Sequence, residues 1–377
     1  MSLVLPSREI ITRPAHDVLF HQAVLDLFLR RRSSHMSPHL YNDHTGVANG
    51  ESISGAYSWS RAAQDEFWYY VIRSDTAFLR KIILEIAKIV PHGLPFVDLG
   101  PGSLKAVQEK SLLLVQMLEN SHAQPLDSSA KFVRDYEGFM AEHAPSVICK
   151  GKVLNFKSPK ARHDFGSKEV AGYYGGSTNT NLVHPFDIEL GLTKLPSSSQ
   201  FSSIKFPDHV LTQDIKKLGK LMNNSWMITS FDGNQDEGSL YKAYRSRYFD
   251  RFIRNVFYRA ATELSASQIG PKGFSANYDP NGFDYEPVWI PSAHLLANYV
   301  VANKDQEFSI GRHSVEIERD DAFLVLNSFK FPQEVYKRNC KNAGARVEAL
   351  WSDDESPTNL CITRTPANEN VLRLNAA

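Results

Sequence analysis

FVDLGPGS, Phe96 to Ser103, reads as a short buried strand that runs into a glycine-rich turn. Glycines at Gly100 and Gly102 let the backbone pass close to a ligand, and the helix that follows offers it unpaired N–H groups. Taken alone, the pattern is also that of an ordinary tight strand-to-helix connection. It lacks the third glycine of the dinucleotide fingerprint and the lysine-serine pair of a phosphate-binding loop, which weakens the case for a bound pyrophosphate or triphosphate.

The neighbouring periodicity is α/β grammar. TAFLRKIILEIAKIV ahead of the turn has apolar residues at helical spacing, and AVQEKSLLLVQMLEN behind it does so again. AQPLD, KFVRDYEGFMAEHA, SVICKGKVLNF and EVAGYYGGST continue the alternation of strand and helix. After a serine-rich surface insertion, LPSSSQFSSI, come a helix around Asp214 to Met222 and a strand, SWMITSFD. SLYKAYRSRYFDRFIRNVFYRAATEL then reads as one long charged-aromatic helix that breaks the rhythm and opens a second domain. The end of the chain, from Glu334 to Thr365, reads as helix, glycine, strand, acidic loop and strand, a hairpin that completes the first sheet.

At 377 residues the chain can bury one large core or two ordinary ones. Its 42 basic and 42 acidic side chains balance, so no net field draws it to nucleic acid or a membrane, and a small neutral or zwitterionic ligand fits better. Three scattered cysteines point to a reducing compartment, with neither a disulfide framework nor a zinc site. The N-terminal stretch has charges where a signal peptide needs an apolar core, and no run approaches a membrane span. The expectation is a cytoplasmic protein without metal, a monomer or weak homo-oligomer.

Asp127 stands 25 positions after Gly102, at the end of AQPLD. A carboxylate at the end of the second strand is placed to accept hydrogen bonds from both ribose hydroxyls of an adenosyl group. Asn155 and Phe156, ending KVLNF, offer an amide and an aromatic face to adenine. Each residue is ordinary at a strand end. Their order along the chain, each at the carboxyl end of a strand, favours S-adenosylmethionine over a nicotinamide cofactor.

With these residues in view, the chain resembles the histidine-specific N-methyltransferases of the ergothioneine pathway, which use S-adenosylmethionine. SPHLYND is similar to the tyrosine-bearing segment ahead of the family's catalytic domain. WYYVIRSD is similar to Tyr-Tyr-Pro-Thr-Arg-Thr-Glu without the proline, and DLGPGSLKAV to Glu-Leu-Gly-Ser-Gly followed by a basic residue. PLDSS matches Val-Asp-Ile-Ser, and GGSTNTNL matches Gly-Ser-Thr-Ile-Gly-Asn-Leu. AYRSRYFDRFIRNVFYRAATEL resembles the helix that starts with a substrate-binding tyrosine. The resemblance implies a Rossmann-like doubly wound methyltransferase sheet formed by residues 76–233 and 331–377. Residues 1–75 and 234–330 would then form an α+β substrate-binding domain. It assigns Tyr41, Gly100, Gly102, Lys105, Asp127, Asn155 and Phe156 to the methyl donor, with Lys110 able to replace Lys105. For an amino-acid substrate it points to Tyr70, Asn181, Tyr244, Leu326 and Ser328: the Asn181 amide and the Tyr244 hydroxyl would hold the α-amino and α-carboxylate ends, and Tyr70 and Tyr244 would orient the amine and help it shed its proton.

The departures from the family decide the substrate. VLNSFKF keeps Ser328 and Lys330, but the glutamate that binds the histidine imidazole falls on Leu326, which cannot accept an N–H; a buried unpaired donor costs about 1–3 kcal/mol. The methionine on the preceding strand is also lost, near Asn298. Trp289 and Phe329 are candidates for an apolar side-chain pocket. The sequence therefore predicts methylation of the α-amino group of an amino acid, or a derivative, other than histidine. S-methylation of a thioether such as methionine and a catalytically inactive S-adenosylmethionine-binding relative are the alternatives. A nicotinamide dehydrogenase would need neither Asn155-Phe156 nor the Gly-Gly-Ser-Thr segment.

Overall fold

The computed structural model describes residues 19–29, 36–40, 45–48, 51–54, 61, 69–158, 160–176, 194–201, 203–206 and 208–365. Tyr41 and Asn181 lie outside them.

The strand Phe96–Leu99, β1, is buried along its whole length. It is paired in parallel on one side with β2, His122–Asp127, and on the other with β5, Ala171–Tyr174. A strand covered on both faces and both edges is mostly apolar, which is why PFVDL carries no alternation, and its one charged residue, Asp98, is held by a buried hydrogen bond. Beyond β2 the sheet ends in two short pieces, β3 (Ile148–Cys149) and β4 (Lys152–Val153). Beyond β5 lies β6, Trp226–Asp232, and then the C-terminal hairpin of β10 (Arg346–Ser352) and β11 (Thr358–Arg364), with β11 antiparallel to β6. The chain runs outward from β1 through β2, then returns to β5 on its other side. The reversal leaves a crevice at the carboxyl ends of β1 and β5, the usual ligand position in a doubly wound α/β fold.

The third strand differs from the continuous KVLNF of the sequence reading. Pro125 in β2 has no N–H to donate, so pairing is lost between Ala123↔Cys149 and Leu126↔Lys152. Gly151 bridges the gap, and a Cβ there would sit 2.5 Å from a Val133 methyl. Asn155 and Phe156 therefore follow the strand in a turn, in which Asn155 Oδ1 accepts from the Lys157 amide at 3.0 Å.

A three-stranded antiparallel sheet forms the second unit, with β8 (Leu295–Ala302) between β7 (Phe283–Ile290) and β9 (Ala322–Phe329). One face packs Trp289, Leu296 and Leu326 against the helix Phe20–Phe28 and the two helices after β6. The other face carries Leu295, Leu324 and Phe329 against Asp208–Met222 and Gln333–Asn342. The helix Tyr70–Ile89, α1, begins ahead of Thr76: Tyr70 and Ile72 pack on the small sheet's aromatic cluster, whereas Phe78 to Ile86 pack under the large sheet.

The long helix expected from Ser239 onward is two helices, Glu237–Tyr244 and Arg247–Glu263. Ser246 breaks it by accepting the amide of Phe249 at 3.1 Å, and Asp236 caps the first piece through the Ser239 amide at 2.6 Å. The break leaves Tyr244 at a helix end. Ser246→Ala should lower stability by about 1 kcal/mol, whereas Ser246→Asp, which can cap, should leave it nearly unchanged. Chemical denaturation of the two variants checks this.

Candidate active site

Two glycine turns meet at the crevice. Gly100 (φ +69°) and Gly102 (φ +71°) follow β1, and Gly176 (φ +67°) closes the turn after β5, each in the left-handed region that favours glycine. Gly100 N donates to Leu126 O at 2.9 Å, which carries the β1–β2 ladder into the turn, and Gly176 N donates to Ser230 Oγ at 2.9 Å. A Cβ on Gly102 would meet no atom within 4 Å, so that side of the turn is open to a ligand. Gly175 is needed for another reason: a Cβ there would lie 2.1 Å from the Tyr173 hydroxyl.

The helix behind the first turn is built of Leu104–Ala106, a π turn Val107–Ser111, and Leu112–Met117. A π turn carries one extra residue per turn and re-aims the side chains on it. Of the two lysines considered for the donor, Lys105 is exposed, whereas Lys110 is turned inward and buried. Lys110 Nζ lies 2.8 Å from Asp75 Oδ2, and the Tyr173 hydroxyl donates to the same oxygen at 3.2 Å. From the same turn Ser111 Oγ donates to Asp98 Oδ2 at 2.6 Å. Burial pushes the Asp98 carboxyl up to about 7, against the Ser111 hydrogen bond and the charge of Lys110, which lower it.

Asp127 is buried at the end of β2, and its Oδ1 accepts the Ser129 amide at 2.8 Å. Phe156 is half-buried and meets Tyr174 edge-on at 5.8 Å. Gly100, Gly102 and Asp127 thus lie along the carboxyl edge of the sheet, with Asn155 and Phe156 in the turn beyond it.

A second polar cluster sits where the small sheet meets β6. Lys330, just past β9, and Asp232, at the end of β6, form a buried ion pair of 2.8 Å. The Tyr70 hydroxyl donates to Asp232 Oδ2 at 2.7 Å and accepts from Asn234 Nδ2 at 2.7 Å. Lys330 Nζ also donates to the Tyr244 hydroxyl at 2.6 Å, which lies 3.1 Å from Ser328 Oγ. Burial, with the Asp232 charge next in size, pushes both phenols well above their ordinary range. Three residues expected from the sequence, Tyr70, Tyr244 and Ser328, therefore stand in one network. Asp232 and Asn234 were missed, although Asp232 ends a strand just as Asp127 does.

Leu326 is buried in the hydrophobic cluster that also holds Tyr69, Tyr244 and Trp289. Its strand partner Asn298 is engaged by its neighbours: Oδ1 accepts from Tyr285 at 2.7 Å and Nδ2 donates to the Leu326 carbonyl at 3.0 Å. Phe329 is not part of this cluster. It lies on the opposite face of the small sheet, between Phe206 and Phe331.

The family model for histidine-specific, S-adenosylmethionine-dependent methyltransferases matches residues 23–197 and 202–365. The uncharacterized protein y4iF of Sinorhizobium fredii is 24% identical over 266 residues, which is 70% of this chain and 78% of that protein. The N-methyltransferase imqF of Aspergillus flavus is 20% identical over 293 residues, 76% of this chain and 72% of that one. Among solved structures, an S-adenosylmethionine-dependent methyltransferase from Clostridium acetobutylicum is 9% identical with a TM-score of 0.38, covering 80% of this chain and 96% of that one.

The raised Asp98 pKa makes stability depend on pH with a definite sign. Between about pH 4, where an unfolded aspartate ionises, and about 7, the folded protein holds a proton that the unfolded chain has lost. Its contribution to stability is complete below that window and declines as pH rises through it. The stability difference between wild type and Asp98→Asn should shrink or reverse from about pH 4 to about pH 8 in denaturant titrations. A difference independent of pH would contradict it.

Proposed function

From the premise that this chain belongs to the family of histidine-specific, S-adenosylmethionine-dependent methyltransferases, we propose that it methylates the α-amino group of an amino acid, or a derivative, other than histidine. The observation that carries the reading is the network of Tyr70, Tyr244 and Ser328 around the Asp232–Lys330 pair, with the apolar Leu326 buried two positions before Ser328. An imidazole against Leu326 would lose a hydrogen bond, at about 1–3 kcal/mol. An apolar or aromatic side chain would lose nothing there, so the favoured acceptor carries one.

The residues present suit the donor. Gly100 and Gly102 give close backbone approach, Asp127 takes the ribose hydroxyls, Asn155 and Phe156 border the base, and Lys110 rather than the exposed Lys105 is the internal cation. Tyr41 and Asn181, outside the described residues, keep the roles that the resemblance gives them. When bound, S-adenosylmethionine supplies a sulfonium methyl group open to in-line attack by a lone pair, so the protein's main task is placement.

The acceptor amine must first lose a proton, because an α-ammonium has a pKa of about 8 or above. Neither tyrosine is a base, since burial keeps both phenols protonated. Tyr70 is a relay instead. It can accept the ammonium proton as it passes its own to Asp232, 2.7 Å away. Tyr244 and Ser328, tied to Lys330, hold the opposite, carboxylate end.

The test is incubation with S-adenosylmethionine and a panel of the twenty amino acids and their N- and O-substituted derivatives, read by mass spectrometry. Methylation on the nitrogen of an apolar or aromatic amino acid is expected. Methylation of histidine, or of a thioether sulfur, would sink the reading. With the acceptor in hand, Tyr70→Phe should cut turnover about 100-fold near neutral pH, with most of the loss recovered at high pH where the amine arrives unprotonated.

A further inference from the structure

One oxygen of Asp75 has no hydrogen-bond partner among the described residues. Its side chain is buried; Oδ2 accepts from Lys110 at 2.8 Å and from Tyr173 at 3.2 Å, while Oδ1 is buried and finds no hydrogen-bond partner among the described residues. A buried carboxylate oxygen left without a donor is costly, and native structures rarely keep one without a use. Lys110 is in the converse position. It has three N–H donors, and Asp75 is its one hydrogen-bond acceptor among the described residues.

The pair stands at the meeting point of the two glycine turns. A Cβ on Gly176 would lie 3.9 Å from Asp75 Oδ2 and 4.0 Å from Lys110 Nζ, and Lys110 belongs to the helix that follows Gly102. Asp75 and Lys110 cancel in charge, so an ion of either sign would leave a net charge in a dry site. A zwitterion would not: its ammonium meets the open carboxylate oxygen and its carboxylate the remaining lysine N–H groups.

We propose that Asp75 Oδ1 binds the α-ammonium of the methyl donor's amino-acid end, with Tyr173 and Lys110 fixing the carboxylate in place. Asp75 is thereby a donor-recognition residue, distinct from the acceptor network around Asp232. The inference rests on the chain binding the S-adenosyl group at the glycine turns. It does not depend on which acceptor is methylated.

Three ligands of the intact protein test it by calorimetry: S-adenosylhomocysteine; 5′-S-(3-carboxypropyl)-5′-thioadenosine, which keeps the carboxylate and lacks the amine; and 5′-methylthioadenosine, which lacks both. Wild type should bind the deaminated compound about 10- to 100-fold more weakly than S-adenosylhomocysteine, the scale of one hydrogen bond to a charged group. Asp75→Asn should bind those two nearly alike and hold 5′-methylthioadenosine as wild type does, which also reports that the variant is folded. Wild type that does not distinguish the amine from its absence would overturn the proposal without any variant. So would Asp75→Asn that keeps full discrimination, or that loses all three ligands equally. Wild type that binds none of the three would overturn the donor site itself, and the proposal with it.

Discussion

The ion pair between Asp232 and Lys330 holds the two halves of the site together. Its carboxylate ends β6 of the large sheet and its ammonium follows β9 of the small one, both buried. Removing two charges from water costs several kcal/mol per ion, and the pair survives only because the neighbours complete it. Asp232 Oδ1 accepts the Asn234 amide, Oδ2 the Tyr70 hydroxyl, and Lys330 donates onward to Tyr244. The Phe331 amide also bonds the Asp232 carbonyl at 2.9 Å, so backbone and charge fix the same junction. Each group that completes the pair stands beside the proposed acceptor position. What satisfies the charges thereby positions the chemistry.

The donor side rests on backbone conformation more than on charge. Positive φ at Gly100, Gly102 and Gly176 clears the crevice, and the π turn brings Lys110 and Ser111 inward on consecutive positions. Ser111 anchors Asp98 beneath the first turn, and Lys110 anchors Asp75 beside the second. One irregular turn of helix thus ties both glycine loops to buried carboxylates. α1 carries Tyr70 and Asp75 little more than one turn apart, so a single rigid element reaches both the Asp232 network and Lys110.

Much of this was legible in the chain. FVDLGPGS, AQPLD and EVAGYYGG announce parallel strands by short, mostly apolar runs that end in glycine or acid, and the C-terminal hairpin follows from turn residues between two β runs. The interruption of the third strand was also written, in Pro125, but its effect falls on the neighbouring strand and is easily overlooked. The break at Ser246 was hidden because aromatic and charged residues continue at helical spacing on both sides of it. A capping serine inside such a run carries little weight until the backbone turns. Lys110 and Asp75 are far apart in sequence, and a π turn has no spelling in the residues; only the fold shows that they meet. Phe329 lies one residue from Ser328, and the alternation of a strand should have sent it to the other face.

The account places two ligands on the two sides of one junction, and hydrogen–deuterium exchange with mass spectrometry tests that most directly. S-adenosylhomocysteine alone should slow exchange in residues 96–111, 122–129 and 171–176. Adding the methylated acceptor should extend protection to 230–246 and 324–331. Protection by S-adenosylhomocysteine confined to the small sheet, or by the acceptor only at a site remote from Asp232, would contradict it.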